Sequence, residues 1–271
     1  MGGGIAEVAA KAGYDVVLRS RAVAAADATV GGIDRSLTKQ VAKGKLTEAE
    51  REAVLARITA TGELDDLFDC DLVIESVVEE LAVKKLLFGE LDALCRPGAI
   101  LATNTSTLSV IELAMQTKRP ERVCGIHFFN PAPLMSLVEV VRPLTATDET
   151  ITAAKAFVKT CGKDAVDVKD RAGFIVNALL FPYLNNAVRM LDHGTASMPD
   201  IDIAMKGGCN FPLGPFQLLD LVGLDTSVAI LDALYAEFKD PNYTPVPSLR
   251  RMVEAGLLGR KSGRGFYDYR S

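Results

Sequence analysis

Through about residue 168 the chain alternates short apolar runs of strand character with longer stretches of helical periodicity, and after about residue 170 the alternation stops. A helix is predicted over Ile5 to Ala12, stopped by Gly13, and Asp15-Val16-Val17-Leu18-Arg19 follows it as a strand. Leu72 to Ser76 and Ile100 to Thr103 read as further strands, with helices over Ala22 to Ala42, Thr47 to Ile58 and Leu81 to Leu94 between them. Arg122 to Ile126 and Leu137 to Val141 complete the set. A chain with this rhythm is constrained to a doubly wound parallel α/β sheet, whose ligands gather outside the carboxyl ends of the strands. Those ends carry Ser20-Arg21, Glu75-Ser76, Asn104-Thr105-Ser106 and His127.

The second part is expected to be all-helical. Phe174 to Leu191 is apolar on nearly every face, which suits burial in a bundle or an interface. Helical patterns continue near Asp200 to Met205, Pro215 to Tyr235 and Ser248 to Ala255. The division falls at 1–170 and 171–271, and 271 residues suffice for two modest cores. The terminal Gly259-Arg260-Lys261-Ser262-Gly263-Arg264-Gly265-Phe266-Tyr267 is glycine-rich and basic. Its aromatic residues, with Tyr269, suggest that it packs down.

The formal charge of −5 argues against a nucleic-acid partner. No apolar run reaches the roughly 18 residues of a membrane span, and the N-terminus has no secretory pattern. The five cysteines, Cys70, Cys95, Cys124, Cys161 and Cys209, follow neither a metal-ligand spacing nor a disulfide rhythm. The expectation is a cytoplasmic protein with reduced cysteines, no metal and no membrane contact.

Met1-Gly2-Gly3-Gly4-Ile5 reads either as a flexible start or as the second half of a glycine fingerprint at the head of a helix. In the second reading Gly2 is the last fingerprint glycine, at the cofactor pyrophosphate, and Gly4 is a close-packing position. The strand that normally precedes the fingerprint, the centre of the sheet, is then missing, and two strands are left unpaired. The acidic residue that usually ends the next strand is replaced by Arg19-Ser20-Arg21. Those residues either accept a 2′-phosphate, favouring NADP over NAD, or are a surface arginine pair.

His127 is one of two histidines. The loop holding Pro131 and Pro133 brings the Leu137–Val141 strand back beside its own, so Glu139 can reach the ring. A carboxylate there fixes the tautomer and stabilises an imidazolium. The alternative is a satisfied core histidine beside a strand glutamate.

Together, Asp71-Leu72-Val73-Ile74-Glu75, Asn104-Thr105-Ser106, His127-Phe128-Phe129-Asn130-Pro131, Leu137-Val138-Glu139-Val140, Gly173-Phe174-Ile175-Val176-Asn177, Pro212-Leu213-Gly214-Pro215 and the basic tail resemble the L-3-hydroxyacyl-CoA dehydrogenase family, closest to its bacterial butyryl-length branch. The resemblance spans nearly the whole chain. It implies a nicotinamide cofactor, an acyl-CoA substrate, and a helical domain that pairs two subunits. By the same resemblance His127 is the catalytic base, Glu139 its orienting partner, and Ser106 and Asn177 polar residues near the reacting oxygen. Glu79 and Lys84 match residues around the nicotinamide and its ribose, with Asn104 and Ser106 on the cofactor side. Asn130 matches a substrate-site residue, and Ser36, Lys43 and Lys45 lie on the arm that touches CoA in relatives. By themselves, Lys84 also reads as a solvated helix face, Asn177 as a buried amide, and the arm residues as plain surface. His193 matches no site. Two rival functions share the fold: a dehydrogenase of small acids without CoA, and a non-catalytic, crystallin-like binding protein.

Overall fold

Val- and Ile-rich runs become strands and amphipathic runs become helices through the first of two units, Met1–Asp170; the second unit is Arg171–Ser271. The structure, a computed structural model, describes residues 1–270.

The first unit opens with α1 (Gly2–Lys11), β1 (Val16–Arg19), α2 (Val23–Ala42), α3 (Glu48–Ala56) and β2 (Ile58–Thr61). Gly13, at φ +95°, makes the turn out of α1 that a side chain would strain. A reciprocal cap starts α3: the Thr47 hydroxyl accepts from the Glu50 N–H while the Glu50 carboxylate accepts from the Thr47 N–H. Then come β3 (Leu72–Glu75), α4 (Leu81–Leu94), β4 (Ile100–Thr103), α5 (Val110–Ala114), β5 (Val123–Phe128), β6 (Leu137–Arg142), α6 (Asp148–Thr160) and β7 (Asp164–Lys169).

Among the described residues these strands form two sheets. β1 pairs in parallel with β2, and a five-stranded sheet runs in the order β3-β4-β5-β6-β7. β1 and β3 each lack a ladder partner on one side. Helix α1 joins the two halves through opposite faces. Ile5 and Val8 enter the core of the larger sheet, and Ala6 and Ala10 pack with Leu18, Ile33 and Leu37.

The structure differs from the sequence reading in three places. Ile58, expected at the end of a helix, begins β2. β6 runs antiparallel to β5, so the sheet is mixed, and β7 is an added edge strand parallel to β6. The expected helix Pro215 to Tyr235 is two helices broken at Gly223, whose φ is +103°.

The second unit contains α7 (Val176–Asp192), α8 (Met198–Cys209), α9 (Pro215–Val222), α10 (Leu224–Phe238) and α11 (Pro247–Glu254) around Leu184, Val188, Phe216, Leu219 and Leu231. The tail packs down as its aromatics suggest, with Phe266 4.8 Å from Phe216 between ring centroids. Two buried carboxylates also hold it. Asp220 accepts from the backbone of Phe266 (2.8 Å) and Tyr267 (2.9 Å) and from the Tyr269 hydroxyl (3.1 Å). Asp202 accepts from the Tyr267 hydroxyl at 2.8 Å and from the first turn of α9. No helix of the described residues is long and apolar enough to cross a membrane.

Candidate active site

β5 is buried along its whole length, and its penultimate residue is His127, 3% exposed. The antiparallel register sets Glu139 of β6 directly opposite, so the two side chains leave the same face of the sheet. The strands approach closely because Gly125 faces Val141, where a Cβ would fall 2.6 Å from the valine Cβ. His127 Nδ1 lies 2.7 Å from Glu139 Oε2, and the Glu139 side chain is fully buried. The other ring nitrogen, Nε2, lies 3.1 Å from Ser106 Oγ. Phe129 leans on the imidazole at 4.6 Å between centroids. One nitrogen thus faces a carboxylate that stabilises positive charge on the ring, while the other faces a hydroxyl at the end of β4. This arrangement can accept or release a proton on the Nε2 side.

The β4 end is stitched to the β5 end. Asn104 Oδ1 accepts from the Phe128 N–H at 2.8 Å, and the Asn104 N–H donates to the Glu75 carbonyl at 2.8 Å. Ser106 is held in turn by Glu79, whose Oε1 accepts from the Ser106 N–H at 2.9 Å and from the Thr105 hydroxyl. Lys84 is no solvated helix residue, being 1% exposed, with its ammonium 2.7 Å from Glu75 Oε1 and 3.2 Å from Glu79 Oε2. His127, Glu139, Ser106, Asn104, Glu79 and Lys84 are therefore gathered at neighbouring strand ends. Glu75, Thr103 and Thr105 complete the group; the sequence places Glu75 and Thr105 at strand ends where ligands gather but gives them no role, and leaves Thr103 unmarked. The signal for them was a carboxylate closing an apolar strand, with a threonine at the matching position of the next one.

The remaining candidates are carried by other elements. Gly2 and Gly4 are in the first turn of α1. Gly2 is open, with a Cβ there 3.7 Å from Ser76 Cβ. A Cβ on Gly4 would lie 3.2 Å from Pro133 Cδ, and on Gly3 only 2.7 Å from Thr29 Cγ2, so Gly3 has the tighter packing. Ser20 is half-buried and Arg21 exposed at the β1 end. Asn130 is exposed in the β5–β6 loop, its peptide to Pro131 cis. Ser36 is half-buried on α2, and Lys43 and Lys45 are exposed where the chain turns towards α3. Asn177, 8% exposed, is the second residue of α7, in the second unit. His193 is exposed at the end of α7. The cysteines are free thiols. Burial pushes Cys124 up to about 12 and Cys161 up to about 11, so these two are neutral and poor nucleophiles.

Residues 1–171 match the family described as 3-hydroxyacyl-CoA dehydrogenase, NAD binding domain, and residues 173–269 match 3-hydroxyacyl-CoA dehydrogenase, C-terminal domain. The chain is 49% identical to a 3-hydroxybutyryl-CoA dehydrogenase of Mycobacterium tuberculosis, over 99% of this chain and 95% of that protein. It is 46% identical to one of Clostridioides difficile, over 99% and 96% respectively. The crystal structure of (S)-3-hydroxybutyryl-CoA dehydrogenase from Ralstonia eutropha superposes with a TM-score of 0.98 at 44% identity, covering 100% of this chain and 96% of that one.

Proposed function

The chain belongs to the 3-hydroxyacyl-CoA dehydrogenase family, and from that premise we propose that it interconverts short-chain L-3-hydroxyacyl-CoA and 3-ketoacyl-CoA thioesters, with His127 moving the proton. The observation that carries this is the His127 ring held between Glu139 at 2.7 Å and Ser106 at 3.1 Å.

The residues present fit a nicotinamide dinucleotide. The N-terminus of α1 begins with three glycines and has no side-chain cap, so its first N–H groups and positive dipole end are free to meet a pyrophosphate. Ser20 and Arg21 suit the adenosine ribose end, and we assign them a preference for the 2′-phosphate of NADP over NAD. Asn104, Ser106, Glu79 and Lys84 suit the nicotinamide end. When bound, the cofactor supplies the hydride acceptor for oxidation and the hydride donor for reduction.

In oxidation His127 Nε2 takes the proton of the 3-hydroxyl, and the Glu139 carboxylate at Nδ1 stabilises the imidazolium that forms. In reduction the imidazolium returns the proton to the ketone oxygen. A base so placed is worth about 10²–10⁴ in rate. Ser106 shares Nε2 and so holds the ring on the side where the substrate oxygen is handled. Asn177 is assigned to the same oxygen and Asn130 to the acyl thioester. Ser36, Lys43 and Lys45 are assigned to the CoA phosphates and adenosine, for which exposed lysines at a turn supply donors. The active species is taken to be a cytoplasmic homodimer.

A series of 3-ketoacyl-CoA substrates tests the reading. Activity should peak at four to six acyl carbons, with the free acid far poorer. A maximum at twelve carbons or more contradicts the short-chain assignment. Equal use of the free acid indicates a dehydrogenase without CoA, and no turnover of any thioester favours a binding protein.

A further inference from the structure

Glu75 closes β3 with a side chain that is fully buried, and none of the chemistry above uses it. Its two oxygens start two separate routes. Oε1 accepts from Lys84 Nζ at 2.7 Å and from the Val77 N–H at 2.6 Å. Oε2 accepts from the Thr103 hydroxyl at 2.8 Å, across the parallel register that sets Glu75 beside Thr103. Three donors fix the carboxylate in one rotamer.

Both routes end at residues 105–106. Along the first, Lys84 is buried and must keep its charge compensated, since an unpaired ammonium out of water costs several kcal/mol. Its second partner is Glu79, whose side chain is 41% exposed and which, without the ammonium, would be an ordinary mobile surface carboxylate. Held there, Glu79 accepts from the Ser106 N–H and the Thr105 hydroxyl. Along the second, Thr103 Oγ1 accepts from the Thr105 N–H at 3.2 Å. The backbone at 105–106 is thus gripped from two sides by groups that converge on one carboxylate, and Ser106 Oγ meets His127 Nε2.

We propose that Glu75 is a positioning residue for the proton transfer, setting the Ser106–His127 contact through Lys84 and Glu79 on one side and Thr103 on the other. The proposal rests on the reading of His127 as the proton-transfer group. It assigns to Glu75 more than the stability of a buried ion pair, because the loss of its charge should be felt at a ring nitrogen four groups away.

The test combines spectroscopy of the protein alone with kinetics. The chain holds two histidines, so in ¹⁵N-histidine-labelled protein the His127 resonances are assigned by difference with His193→Gln. Ser106→Ala should move the Nε2 resonance of His127. Glu75→Gln should move it in the same direction by at least half as much and leave His193 unchanged. In acetoacetyl-CoA reduction at saturating cofactor, Glu75→Gln should lower kcat about tenfold with little change in thioester KM, and Ser106→Ala should cost much less in that background than in wild type. An Nε2 resonance unmoved by Glu75→Gln, or effects of the two changes that multiply in full, overturns the proposal. Should Glu75→Gln fail to fold, Thr103→Val cuts one route and carries both measurements. A wild type without thioester turnover sinks the functional reading instead, and the Nε2 resonance still decides the positioning claim.

Discussion

Arg19 and Arg21 stand two residues apart at one strand end and face different surroundings. Arg19 donates from Nε to the Gly62 carbonyl at 3.2 Å, which ties it to the loop after β2. Arg21 is exposed, next to a Ser20 whose N–H is anchored to the Thr61 carbonyl at 3.0 Å. Of the pair, Arg21 is the one available to a phosphate. A charge-assisted contact is worth about 1.5–3 kcal/mol, on the order of ten- to a hundredfold in affinity. The wild type should therefore favour NADPH in kcat/KM, and Ser20→Asp with Arg21→Ile should reverse the preference. A wild type that prefers NADH, or a ratio untouched by the double change, contradicts the assignment. Lys84 shows what a linear pattern hides. On a helix of mixed polarity a lysine reads as solvated, but the fold turns it inward to carboxylates five and nine residues earlier in the chain. Only the likeness to a family marked it in advance; Glu75 was legible as a polar strand end but carried no role.

At the scale of elements, β4 and α4 were legible to the residue because apolar runs and helical periodicity agreed with their flanks. β2 was not. Ile58-Thr59-Ala60-Thr61 is four residues long and follows α3 after Arg57 alone, without a glycine or proline to break the helical pattern. Its strand state is decided by pairing with β1. The break at Gly223 was hidden likewise, since one glycine between Val222 and Leu224 is tolerable in a helix and only its positive φ ends it. The tail was expected to dock by its aromatics, and the contribution of Asp220 and Asp202 depends on contacts more than forty residues apart. Burial and the Asp202 carboxylate raise the pKa of the Tyr267 hydroxyl well above its ordinary range, so it remains a donor. Asp220→Asn should accordingly cost about 1.5–3 kcal/mol and speed hydrogen exchange at the Phe266 and Tyr267 amides. Unchanged exchange at both amides would show that the aromatic contacts alone hold the tail.

For the whole molecule, the helical unit leaves apolar side chains in water. Leu179 on α7 is 72% exposed, Ile203 on α8 66% and Leu221 on α9 50%. A second copy covering them would remove that surface from solvent, so sedimentation at micromolar concentration should report a dimer; a stable monomer there contradicts the pairing. The proposed chemistry turns on one ring, and the direct test is turnover of acetoacetyl-CoA by the intact protein and by His127→Gln, with Glu139→Gln beside it. His127→Gln should lower kcat by about 10²–10⁴ with a small change in thioester KM, and Glu139→Gln should lower it less because the base remains. Near-normal turnover by His127→Gln would contradict the assignment of the proton to this histidine.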